Sequence, residues 1–300
     1  MAVRIITDSA SDITPEDIEA AGSPALTVLP LSITFGSDTY ADSVDLTHGR
    51  FYELLVECDD LPKTGQVNPY AFEGAIREAR EAGEDAVVIT VSGKLSGTYE
   101  SAVSAASGFD GGVYVVDSRN VCVGERVLVD YALRLVGEGL TAADIATALE
   151  QVRDDIFVVG LLDTLEYLRR GGRVPAAAAA VGQLLSIKPV ISVEDGEVVV
   201  LGKARGSKNG RNLLTQQIEK SGGIDFSMPI ALGYAGLDDV LLRKYIEDSR
   251  GIWEANVCAP ARSLRGSDDW HPRRPRCDRV GVLQEERLGR RSWSDGPAFR

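Results

Sequence analysis

Three apolar runs, VRIITDS, DAVVITVS and GVYVVDS, each close on an acid or a hydroxyl, and a helix-like stretch follows each one. Short continuous apolar runs bounded by turn residues fit strands buried on both faces. Strands alternating with helices predict an α/β fold: a parallel sheet flanked by helices. In such sheets, ligand-binding groups collect in the loops after the strand C-terminal ends. Asp8-Ser9, Ser92 to Thr98 and Asp117-Ser118 all fall in those loops. One pattern thus constrains the fold and the edge where function belongs.

The rest of the chain extends the alternation. Thr14 and Pro15 suit the N-cap and first position of a helix that Gly22 would close. LTVLPLSITF reads as one strand-like run, with Pro30 making it an edge or bulged element. HGRFYELLVE, PYAFEGAIREAREAG, TYESAVSAAS, NVCVGERVLVDYALRLVGEG and TAADIATALEQVRDD read as helices. A second set of elements opens at IFVVGLL. It includes the helix before RRGGR, a small-residue helix around Ala176 to Leu185, and a hairpin turning at Asp195-Gly196. The length suits two domains rather than one. The expected division is an N-terminal α/β domain over 1–155, a second α/β domain over 156–250, and a tail over 251–300.

Composition narrows the function. The formal charge of −13 excludes an ordinary nucleic-acid binder, which needs a basic surface. The four cysteines form no CxxC pair, and the two histidines are remote from one another in sequence, so neither a zinc site nor a disulfide framework is expected. The opening MAVRIITDSASD lacks the features of a signal peptide, and no apolar run reaches membrane-spanning length; a cytoplasmic location is the expectation. Neither the P-loop nor the dinucleotide glycine pattern is present.

Three polar clusters remain: Lys63-Thr64-Gly65-Gln66, Ser92 to Thr98, and Arg169-Arg170-Gly171-Gly172-Arg173. Hydroxyls and exposed N–H groups at a strand-to-helix corner suit a carboxylate or phosphate, although Ser96 and Thr98 could equally do no more than cap the helix. The arginines, with Lys203, Arg205 and Lys208, form basic groups on an acidic body and suit a phosphorylated ligand or an acidic partner.

At these clusters the sequence resembles the DegV family of fatty-acid-binding proteins. ITDSASDIT, YADSVDLTHGRFYELL, KTGQVNP, LSGTYESA, VVDS, LEYLRRGGRV, LLSIKPVI, DGEVVVLGKARGSKN and IALGYAG follow one another in the family's order. The resemblance implies two α/β domains with a ligand cleft between them. It implies a long-chain fatty acid as bound ligand, no cofactor or metal, and no catalysis by this chain alone. The ligand-binding residues it implies are Thr64 and Ser96, which hold the carboxylate, with Gly97, Asp8 and Ser9 around them. Arg170, Arg173 and Arg205 are implied as contacts to the phosphate or the partner. That partner would be a fatty-acid kinase resembling dihydroxyacetone kinases, with transient membrane contact and an acyl phosphate for lipid synthesis as the outcome.

Two departures stand out. Gly65 occupies a position where the family's motif has Ser. The tail beyond 250 lacks the family's closing strand and GTHxGPGxxG-like loop. Read one base later with GC-rich codons, Ser267 to Arg287 gives RTIGTHAGPGAIGLAFFKKS, so a frameshift is expected between about 250 and 266. The tail is also basic, with 10 basic against 7 acidic side chains where the first 250 residues have 22 against 38. A poorly ordered tail and a missing core strand are the corresponding expectations. The alternatives to a carrier are a stand-alone hydrolase or transferase using Ser96, for which no base is evident, and a lipid-sensing regulatory protein.

Overall fold

The computed structural model describes residues 2–21, 25–58, 60–175, 187–253 and 281–285. Its first half runs β1 (Ala2–Asp8), α1 (Pro15–Ala21), β2 (Leu26–Leu29), β3 (Ser32–Phe35), β4 (Asp38–Ala41), α2 (His48–Glu57) and β5 (Lys63–Gly65). It continues through α3 (Pro69–Glu81), β6 (Glu84–Thr90), α4 (Thr98–Ala106), β7 (Val113–Asp117), α5 (Val123–Gly137) and α6 (Ala142–Val152). The second half runs β8 (Val158–Leu161), α7 (Glu166–Arg170), β9 (Ile187–Glu194), β10 (Glu197–Arg205) and α8 (Gly206–Lys220). It then adds β11 (Ala231–Ala235), α9 (Val240–Asp248), α10 (Arg250–Trp253) and β12 (Gly281–Glu285).

The three founding runs become β1, β6 and β7 of an all-parallel sheet ordered β2-β1-β6-β7. Successive side chains in a strand point to opposite faces. Ile5, Val87 and Ile89 accordingly join α5 and α6 on one face. Ile6, Ala86 and Val88 meet Phe72 and Ile76 of α3 and Ala102 of α4 on the other. Both faces are apolar because both are covered, as the continuous runs require.

LTVLPLSITF does not form one element. Pro30 and Leu31 divide it into β2, at the edge of the parallel sheet, and β3, the centre of an antiparallel sheet ordered β4-β3-β5. Proline has no N–H for a ladder, so the run changes sheet there. The Leu31 N–H that follows is taken by Ser9 Oγ at 3.0 Å. Thr14 caps α1 as expected, its Oγ1 accepting from Asp17 N while Asp17 Oδ2 accepts from Thr14 N. The closure of that helix at Gly22, the small-residue helix around Ala176 to Leu185, and most of the tail lie outside the described residues.

The second sheet is mixed and ordered β10-β9-β8-β12-β11. Its β9–β10 hairpin turns at Asp195 and Gly196 with φ of 49° and 81°, the left-handed pair of a tight two-residue hairpin. β12 lies between β8 and β11, parallel to both. The expectation of a missing core strand is therefore corrected at the level of the backbone: Gly281–Glu285 fills a central position. Five residues inside a tail without other periodicity gave no signal to find it.

α5 joins the two sheets. Val127, Leu128, Ala132 and Leu135 share one apolar cluster with Val3 and Ile5 of the first sheet and with Val158, Val193 and Ala231 of the second. The last helix packed on the first sheet is α6, and β8 is the first strand of the second.

Candidate functional site

In the parallel sheet the chain leaves β1 towards β2 on one side and later returns to place β6 on the other. The crevice at such a switch point is the default ligand position of an open α/β sheet. Asp8, the last residue of β1, is fully buried and its carboxylate accepts from Val91 N (2.9 Å) and Ala10 N (3.0 Å). It thereby ties the end of β1 to the end of β6. Burial pushes its pKa up to about 7, although the two backbone N–H groups pull it back. Ser9 Oγ donates to Asp42 Oδ2 at 2.7 Å while it holds Leu31 N. The hydrogen bonds described for both expected ligand residues thus run to the scaffold. Beneath them Thr7 Oγ1 donates to Glu125 Oε1 (3.1 Å), and burial followed by the Asp8 charge raises the Glu125 pKa well above the usual carboxylate range.

The loop after β6 turns tightly, with Ser92 O accepting from Leu95 N and Ser96 N. Ser96 is half-buried; its Oγ lies 2.9 Å from Thr98 Oγ1 and accepts from Thr98 N. No side chain accepts a hydrogen bond at Gly97, the N-cap position of α4. The capping alternative is met one residue earlier, where Ser96 Oγ accepts from Thr98 N, the first N–H of α4.

The KTGQ segment meets this loop directly. Gln66 Nε2 donates to Ser101 Oγ at 2.8 Å, and Val67 N donates to Thr98 Oγ1 at 3.4 Å. Gln66 covers Gly97 so closely that a Cβ there would stand 2.1 Å from Gln66 Oε1. Thr64 is exposed on β5, opposite Ile33, and Ser96 directly precedes the N-cap position of α4. Opposite Gly65, across the β3–β5 ladder, a residue-65 Cβ would stand 2.4 Å from Ser32 Oγ. Sequence reasoning quoted Gln66 only as part of a motif; nothing local to KTGQ shows that its amide packs on Gly97.

Of the basic residues, Arg173 reaches the loop, its Nε donating to Leu95 O at 3.2 Å. Arg170 Nε pairs with Glu166 Oε1 at 2.6 Å on the surface of α7. Arg205 ends β10 and starts α8 without a side-chain cap. Leu95 itself packs on an apolar cluster of Leu162, Leu165, Val174, Ile191 and Val198. An apolar floor from the second half thus lies under the polar loop of the first. A hollow of about 270 Å³ lined by Asp155, Phe157 and the turn after α8 involves none of these residues.

Ser96 Oγ is paired with another hydroxyl, which cannot serve as a general base. His48, the imidazole among the described residues, contacts Gly236 O at 3.0 Å through Nε2 and stacks edge-on against Tyr52 and Tyr234. No group of His, Cys, Asp and Glu among the described residues is placed to hold a metal ion, and no described helix is long and apolar enough to cross a membrane.

The fold is that of a two-sheet α/β protein in which the loop at the switch-point crevice packs, through Leu95, on an apolar cluster of the second half. The chain belongs to the DegV family, whose family model, described as an uncharacterised protein family, matches residues 2–252. A DegV domain-containing protein of Deinococcus radiodurans is 36% identical over 220 residues, 73% of this chain and 77% of its own. Two solved structures share the fold. A fatty-acid-binding DegV family protein from Thermus thermophilus superposes with a TM-score of 0.74 at 28% identity, covering 95% of this chain and 92% of its own. A stearic-acid-binding protein from Eubacterium ventriosum gives 0.75 at 26% identity, covering 86% and 89%.

Proposed function

We propose that this chain holds a long-chain fatty acid with its carboxylate at Thr64 and Ser96 and its acyl chain over the apolar cluster of the second half. The observation that carries the reading is the interlock of Gln66 with Gly97 and Ser101, which brings the KTGQ segment against the hydroxyl-bearing start of α4. A carboxylate gains there from hydroxyls and backbone N–H groups without a full countercharge. Leu95 and the Leu162–Leu165 side of the cluster offer the apolar surface an acyl chain needs. The fatty-acid-binding relatives of known structure support the ligand class.

In this reading Asp8, Ser9 and Gly97 shape the site rather than touch the ligand. Arg173, already on the head-group loop, with Arg170 and Arg205, faces the phosphate or the partner. The partner is a fatty-acid kinase resembling dihydroxyacetone kinases, which would form the acyl phosphate while this chain supplies position. The protein works in the cytoplasm with transient access to membrane lipid, and needs no cofactor of its own.

Solvent extraction of the natively purified protein, followed by mass spectrometry, tests the ligand. One fatty acid per chain is expected, and Ser96→Ala and Thr64→Ala should each weaken retention by roughly tenfold to a hundredfold, the worth of one hydrogen bond to a charged group. A chain that is folded yet empty, and that takes up no added fatty acid, defeats the proposal.

A further inference from the structure

We infer that Ser92 is a positioning residue, through which the β9–β10 hairpin of the second sheet sets the geometry of the loop carrying Ser96. As a statement about ligand retention it rests on the reading above; as a statement about the loop it stands alone. Ser92 is fully buried, and its Oγ donates to Gly196 O at 2.7 Å, across 104 residues of chain. The same Oγ accepts from Lys94 N at 3.2 Å. Its carbonyl receives both Leu95 N (2.9 Å) and Ser96 N (3.1 Å). One residue therefore links the hairpin tip to every turn of the loop up to Ser96.

Gly196 is required on the other side of the contact. Its φ of +81° suits glycine, and a Cβ there would stand 2.6 Å from Ser92 Oγ. Two weaker contacts run in parallel: Lys94 Nζ to Glu197 Oε2 at 3.4 Å, and Arg173 Nε to Leu95 O. Those two are solvent-exposed and contribute little, whereas the buried hydroxyl leaves a carbonyl unsatisfied when removed. Separation of the hairpin from the loop must break the bond from Ser92 Oγ to Gly196 O and so remove the loop's buried anchor. The position of the loop that carries Ser96 is thereby tied to the second sheet.

Hydrogen exchange of the Leu95 and Ser96 amides tests this, together with the rate at which bound fatty acid is lost to an acceptor vesicle of phosphatidylcholine. Ser92→Ala should speed both by about tenfold, and Gly196→Ala should reproduce the effect with Ser92 intact. Val193→Ala, a buried change in the same hairpin whose side chain packs in the cluster around α5, serves as the control for general destabilisation. It should lower the melting temperature without altering exchange at 95 and 96. Unchanged exchange at those amides in Ser92→Ala and Gly196→Ala, or an equal rise in Val193→Ala, overturns the inference. If the unmodified protein carries no lipid, the proposed function fails while the exchange measurement still decides the role of Ser92.

Discussion

The two sheets reach their stability by different routes. The first is all-parallel, complete by residue 117, and covered on both faces, and it buries Asp8 at the end of β1. The second is mixed, opens with the antiparallel β8–β9–β10 run, and takes a central strand from residues 281–285. Local alternation of strand and helix builds the first; the second depends on a backbone ladder between segments far apart in sequence. Burying charge at an edge makes the first sheet sensitive to protons, and dependence on a distant strand makes the second sensitive to chain integrity.

The largest test of that contrast is a proline at the centre of β12. Leu283→Pro removes an N–H from a strand paired on both sides, a position that proline does not occupy in a sheet. Hydrogen exchange should then show protection lost in β8 and β11 but kept in β1 and β6. Equal loss in both sheets would mean that the core around α5 couples them into one unit.

Acidity probes the first sheet. Asp8 and Glu125 have folded pKa values raised above their unfolded ones, so they favour the folded state at low pH. That contribution is lost as pH rises, for Asp8 through about 7. The melting temperature should fall by several degrees between about pH 5 and pH 8, a few kcal/mol by linkage. Glu125→Gln should flatten that slope, and an unchanged slope would assign the effect to other groups.

The smallest expected effect is at the interlock. Gly97→Ala displaces the Gln66 amide and should cost about 1–2 kcal/mol by breaking its bond to Ser101. Differential scanning calorimetry with and without fatty acid should show a larger loss in the loaded protein, if the contact shapes the site.

β1, β6 and β7 were legible because a strand covered on both faces must be apolar throughout. The hairpin at Asp195-Gly196 was legible because its φ values admit few residue pairs. β4 and β5 were not, since DTYA and KTG carry no periodicity of their own and exist by pairing with β3. The candidate site was legible as three motifs but not as one place. The Gln66–Gly97 packing and the Arg173–Leu95 bond are tertiary events between segments that give no local sign of each other.

The central place of β12 also has a consequence in time. As the chain leaves the ribosome, all four strands of the first sheet are available before α5 is made, and a β8–β9–β10 meander can follow. β8 then waits with one edge unpaired, and β11 has no strand to join, until residue 285 has emerged. At typical synthesis rates of about 5–20 residues per second that interval lasts several seconds. An open strand edge over such a time is a template for the wrong partner, so the vulnerable species in the life of this protein is a nascent chain whose first sheet is already finished.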